Sequence, residues 1–163
     1  MKTMKTMKNL ILIFFVSLFA ISVTNVQAQS KQKIEKEVEG VVQTWFKNFN
    51  SHDLDALVDM YDEQGIIGPS GFPLQIGKEK IRQTFTEMFK LDPHLDHKIA
   101  KITIEGKNLG IVLGEYNFKI NTMKEGETQV GRFLVVYKKY DDGQWRLLYD
   151  IDNIAPDVIP SQW

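Results

Sequence analysis

The stretch "YDIDN", Tyr149 to Asn153, sets two carboxylates two residues apart, and in an extended chain that spacing sends both side chains out of one face. If that face lines an apolar cavity, desolvation raises the pKa of Asp150 and Asp152 and either can trade a proton near neutral pH. If it faces water, they are ordinary solvated ions. The spacing leaves both placements open, with Leu148 and Arg146 on the same face in either; only the concave one gives the pair chemistry. Asp150 is then the candidate acid or base, and a buried carboxylate of this kind recruits a donor, here Tyr61, Tyr116 or His97.

A second cluster is "DPHLDHK", with His94 and His97 beside Asp92 and Asp96. Imidazole and carboxylate are ordinary zinc ligands, but His-x-x-His outside a helix does not bring both rings to one side, and a polar loop accounts for it. No metal is expected. His97 remains a candidate acid or base at a pocket mouth, given a reference pKa of ~6.5. The chain has no G-x-S-x-G, no P-loop, no G-x-G-x-x-G and no cysteine, so no cofactor is expected.

Aromatic residues are abundant: Trp45, Phe49, Tyr61, Phe72, Phe85, Phe89, Tyr116, Phe118, Phe133 and Tyr149. Any one ring is explained as core, worth a few kcal/mol when buried. As a set, with Leu148 and Asp152, they are the candidate walls of a pocket for a small apolar or ring-containing molecule.

The elements that must position these groups follow from periodicity. Ile34, Val38, Val41, Val42, Trp45 and Phe49 recur at helical spacing and predict a helix from about Gln32 to Asn50. In "SHDLDALVDMYDEQG", Asp53 suits a helix cap, and Leu54, Leu57, Val58 and Tyr61 share one helical face, leaving Asp59, Asp62 and Glu63 solvated. "GIIGPSGFPLQIG" reads as strand, turn and strand, and Lys78 to Lys90 returns to helical period. From Asp96 onward the period is two, and Asp142-Gly143 is a tight-hairpin signal between the last two strands. Helices first and antiparallel strands afterwards spell an α+β domain.

Composition bounds the rest. The first 28 residues carry Lys2, Lys5 and Lys8, the apolar run "LILIFFVSLFAI" and the small-residue site Val26-Gln27-Ala28, the pattern of a cleaved secretory signal. The run is shorter than the ~20 residues that span a bilayer, so no membrane anchor is expected after cleavage. The mature chain would be residues 29–163, one domain, periplasmic or secreted. Losing the segment removes three lysines and no acid, so 20 basic against 21 acidic residues becomes 17 against 21, a formal charge of −4. An acidic domain without a basic stripe is a poor nucleic-acid binder.

Two stretches, "HDLDALVDMYDEQGIIGPSGFPLQIGKEKIRQTF" and "GRFLVVYKKYDDGQWRLLYDIDN", resemble the opening and the closing hairpin of SnoaL-like and DUF4440 domains of the NTF2-like superfamily; "DIDN" matches a D-I-x-N ending often seen there. The resemblance implies a cystatin-like cone, three helices on a curved antiparallel sheet enclosing a pocket, and a homodimer through the outer sheet face. The residues on that face would be Leu134, Val136, Trp145 and Leu147. Laying the ketosteroid isomerases' pattern on this chain puts their base near Gly68, their tyrosine at Trp45 and their second acid near Val135, so none of the three is retained. The expected function is a pocket that binds a small apolar or ring-containing ligand. The alternatives are a cofactor-free isomerase, cyclase or dehydratase using Asp150, and a structural dimerisation module.

Overall fold

Val38, Val42, Phe46 and Phe49 are all buried and form the inner stripe of a helix, α1, spanning residues 29–50. The computed structural model describes residues 29–124 and 127–163; the signal segment read over residues 1–28 lies outside the described residues. The chain divides into two compact units, Met1–Ile34 and Glu35–Trp163, and of the first the described part is helical. All that follows concerns the second.

After α1 come α2 (Leu54–Asp59), β1 (Tyr61–Gly68), β2 (Gln75–Ile76), α3 (Lys78–Phe89), β3 (His94–Glu105), β4 (Leu109–Lys119), β5 (Gln129–Lys139) and β6 (Trp145–Ile154), then a 3-10 turn at Pro160–Gln162. Asp53 caps α2, its Oδ1 accepting from the Ala56 N–H at 3.1 Å. The helix is shorter than its apolar period indicates. The Leu147 N–H donates to the Met60 carbonyl at 2.9 Å, and Tyr61 then pairs with Leu147, so Tyr61 opens a strand instead of continuing the helix. Pairing with a distant strand has overridden local periodicity.

The six strands form one sheet in the order β2-β1-β6-β5-β4-β3. It is a mixed sheet, because β1 runs parallel to β6 while its other pairs are antiparallel. Gly143, at φ 80°, closes the β5–β6 hairpin. On β5, Phe133, Val135 and Tyr137 are buried on one face, and Leu134 is exposed on the other. α1 is tied to the hairpin by Glu37, whose Oε2 accepts from Lys139 Nζ at 2.6 Å and from Trp145 Nε1 at 3.3 Å.

The decisive irregularity lies in β6. Val136 pairs with Tyr149 and Tyr137 with Leu147, so Leu148 has no partner and forms a bulge. Trp145 and Leu147 are inward and buried, contrary to their expected place on the outer face. The extra residue then shifts the phase, and Asp150 and Asp152 also turn inward. Leu148, expected beside them, is displaced from that face. Without the bulge, alternation from Leu147 would aim both carboxylates outward.

Candidate functional site

A cavity of about 190 Å³ opens between α1, α3 and the inner sheet face. The walls are apolar and aromatic, and β6 contributes Leu147, Asp150 and Asp152. Among the sequence candidates, Trp45, Phe49, Phe72, Phe85, Tyr116, Phe118 and Phe133 line it as well, Phe72 from an exposed position on the loop after β1. Phe89 does not: it packs behind Phe49 and Phe85, at 5.5 and 6.1 Å between ring centroids. Leu148 is absent from the lining through the bulge. Tyr61 is fully buried behind the wall and reaches the site through its hydroxyl.

That hydroxyl is the centre of a three-residue chain. Trp45 Nε1 donates to Tyr61 Oη at 3.0 Å, and Tyr61 Oη donates to Asp150 Oδ2 at 2.6 Å. The indole occupies the tyrosine oxygen as acceptor, which commits the single phenolic proton to Asp150. Burial among apolar groups pushes the Asp150 carboxyl up to about 6; the Tyr61 hydrogen bond opposes this and the charge of Asp152 adds to it. Burial, reinforced by Asp150, raises the Tyr61 phenol well above its ordinary value, so it stays a donor.

Asp152 is held differently. Its Oδ1 accepts from the Ser70 N–H at 3.1 Å and from Tyr116 Oη at 3.2 Å, while the Ser70 hydroxyl accepts from the Ile154 N–H at 3.3 Å. Burial raises its pKa, and the Ser70 and Tyr116 bonds pull against that. Tyr116 reaches across β5 only because Gly131 stands opposite it in register: a Cβ there would lie 2.4 Å from the Tyr116 hydroxyl. Gly114 makes the same room for the Phe133 ring, 2.2 Å from where its Cβ would be.

His97 stands outside the cavity lining. Its ring lies flat on Phe46, 3.6 Å between centroids and 3° between planes, and burial lowers its pKa against the pull of Asp96. A neutral imidazole backing a wall ring is not placed to exchange protons with the cavity. His94 pairs instead with Asp96 at 3.2 Å. Among the described residues no group of three or more His, Cys, Asp or Glu side chains is gathered as metal ligands would be, and no helix is long and apolar enough to cross a membrane.

A family model described as a SnoaL-like domain matches residues 42–148. The chain belongs to the SnoaL-like family. No curated protein matches its sequence. Solved structures share the fold. An NTF2-like protein with a cystatin-like fold from Novosphingobium aromaticivorans has a TM-score of 0.66 at 17% identity, covering 85% of this chain and 94% of that one. An NTF2-like protein of unknown function from Shewanella oneidensis has 0.62 at 19%, covering 72% and 97%. A ketosteroid isomerase-like protein from Erwinia carotovora atroseptica has 0.61 at 16%, covering 72% and 94%.

Within this SnoaL-like domain, the positions laid against the isomerases' tyrosine and second acid, Trp45 and Val135, do line the cavity. They carry an indole and an isopropyl group. The polar groups come from β6 and β1 instead, so the same cone presents a different constellation. Sequence reading omitted Tyr137, Ser70 and Gln129 from the lining. Tyr137 was within reach, since it alternates with Phe133 and Val135. The interior-strand glycines were a further signal, marking where a neighbouring ring passes close.

Proposed function

We propose that this SnoaL-like domain binds a small ring-containing molecule in its cavity and exchanges a proton with it through Asp150, as a cofactor-free isomerase, cyclase or dehydratase would. The observation that carries this reading is the carboxyl of Asp150, inside an apolar cavity, anchored at Oδ2 by Tyr61 and without a protein donor to Oδ1 among the described residues. A group poised near 6 takes and returns a proton at neutral pH with little driving force lost in either direction. The volume fits: about 190 Å³ exceeds the ~150 Å³ apolar cavity that takes up benzene.

Deuterium uptake from heavy water into small cyclic ketones, cyclohexanone and 4-piperidone, tests the reading. Wild-type protein is expected to label the carbon beside the carbonyl, and Asp150→Asn to lose most of that activity, on the order of 100-fold. Labelling unchanged by Asp150→Asn would remove the acid–base role. Saturable binding without any labelling would leave a binding domain.

The setting of the site is also proposed. Residues 1–28 direct export, and two copies pair through the outer sheet face, where Leu113, Leu134 and Ile151 are cross-strand neighbours and all exposed.

A further inference from the structure

The hydrogen-bonding groups of the cavity are out of balance. Asp150 Oδ1 and Asp152 Oδ2 accept nothing from the protein among the described residues, whereas four donors around them are spent: Trp45 on Tyr61, Tyr61 on Asp150, Tyr116 and the Ser70 N–H on Asp152. Tyr137 lines the cavity at 2% exposure, near enough for the Asp150 charge to raise its phenol, and among the described residues its hydroxyl has no hydrogen-bond partner. Among the described residues Gln129 is the other polar side chain on the wall without a hydrogen-bond partner. No Lys, Arg or His lines the cavity, and neither carboxylate takes part in an ion pair among the described residues. Nine lining side chains are aromatic, so the surface offered around two carboxylates consists largely of electron-rich ring faces and their edges.

We infer that the cavity is built for an organic cation, a protonated amine on a single apolar ring, whose N–H groups donate to Asp150 and to the Tyr137 oxygen. This rests on the reading of the cavity as the ligand site and names the class of molecule it takes. Three facts converge on that class. An ammonium group brings donors and no acceptor, which is what a surplus of acceptors requires. Its charge answers two carboxylates for which the fold supplies no counter-ion, and aromatic faces favour a cation over a neutral isostere. A carboxylate ligand would find donors only in the Tyr137 hydroxyl and the Gln129 amide and would be repelled by two carboxylates. A neutral alcohol would satisfy one acceptor and leave the charges unanswered.

The charge also makes binding pH-dependent. Tyr61 from β1, Tyr137 from β5, Asp152 from β6 and the Trp45 indole from α1 face Asp150; α3 presents only Phe85 and Met88; Tyr116 from β4 faces Asp152. The tyrosines stay protonated, so the carboxylates alone titrate below neutrality. A cation selects their ionised forms, and its affinity climbs as pH rises from about 5 to 7.

Benzylamine, benzyl alcohol and benzoate have nearly the same shape and differ in charge. Their binding to the purified protein can be followed by NMR through the Trp45 indole N–H and the Asp150 carboxyl carbon. At pH 7 benzylamine is expected to bind about tenfold or more tighter than benzyl alcohol, with benzoate weakest, as a charge-assisted hydrogen bond provides. Asp150→Asn should abolish the preference, and Tyr137→Phe should weaken the amine about three- to tenfold with little effect on the alcohol. If benzyl alcohol or benzoate matches benzylamine while shifting the same signals, the cation class is wrong and the cavity reading stands. If none of the three shifts them, the cavity reading falls and this inference with it.

Discussion

Tyr61 and Asp150, 89 residues apart, are joined by a 2.6 Å hydrogen bond from β1 to β6, and the bond is oriented by the Trp45 indole behind it. The relationship does two things at once. It holds one carboxylate oxygen in place and leaves the other open to the cavity. It also limits how far burial can raise the carboxyl, since a donated proton favours the ionised form.

Removing that donor has a signed consequence. Tyr61→Phe should raise the Asp150 pKa above about 6 and move the acid limb of any activity that needs the ionised carboxylate to higher pH with it. The Trp45 N–H loses its acceptor in the same change, so thermal or urea denaturation should show a loss of about 1–3 kcal/mol.

Stability should fall as pH rises across the same group. Asp150 holds its proton up to about 6 when folded but only to ~3.9 when unfolded, so between those values the native state carries more protons and each unit of pH weakens it. The loss is essentially complete above about pH 7 and is on the order of 3 kcal/mol. Asp152, also raised by burial, adds with the same sign. Asp150→Asn, which keeps an acceptor for Tyr61, should therefore be more stable than wild type at pH 7 to 8 and show a flatter profile between pH 4 and 6 in urea titrations.

Much of the frame can be read from residue types. The stripe of α1, the Asp53 cap and the Asp142-Gly143 turn are local, each set by residues a few positions apart. That Asp150 and Asp152 share a face follows from a spacing of two. Which face they share does not, because "WRLLYDIDN" alternates acceptably in either phase and the bulge at Leu148 arises from pairing with both β5 and β1. Tyr61 failed as a helical residue for the same reason, since its place is decided by Leu147, far along the chain. The site is thus built from the contacts that local periodicity carries least.

Gly131 is expected to be intolerant of any side chain. Gly131→Ala puts a Cβ 2.3 Å from the Asn153 carbonyl and 2.4 Å from the Tyr116 hydroxyl, so the ring must leave Asp152. Overpacking of this kind costs about 1–3 kcal/mol. Chemical denaturation should show the loss, and the Tyr116 ring signals should shift.

The proposed dimer is tested on the outer face. Leu134, 43% exposed, sits between Leu113 and Ile151 in the ladder. Sedimentation velocity at micromolar concentration should show a dimer, and Leu134→Glu should reduce it to monomer without altering the cavity. A wild-type monomer would exclude the interface.

The most direct test of the central claim is a carbon-13 titration of the Asp150 carboxyl in the wild-type protein. A midpoint near 6 that drops when a ring-bearing amine is added is the predicted result, since a bound ammonium group stabilises the ionised carboxylate and the proton leaves to solvent. A midpoint near ~3.9, unmoved by any of the ring compounds, would contradict it and return Asp150 to the status of a solvated surface acid.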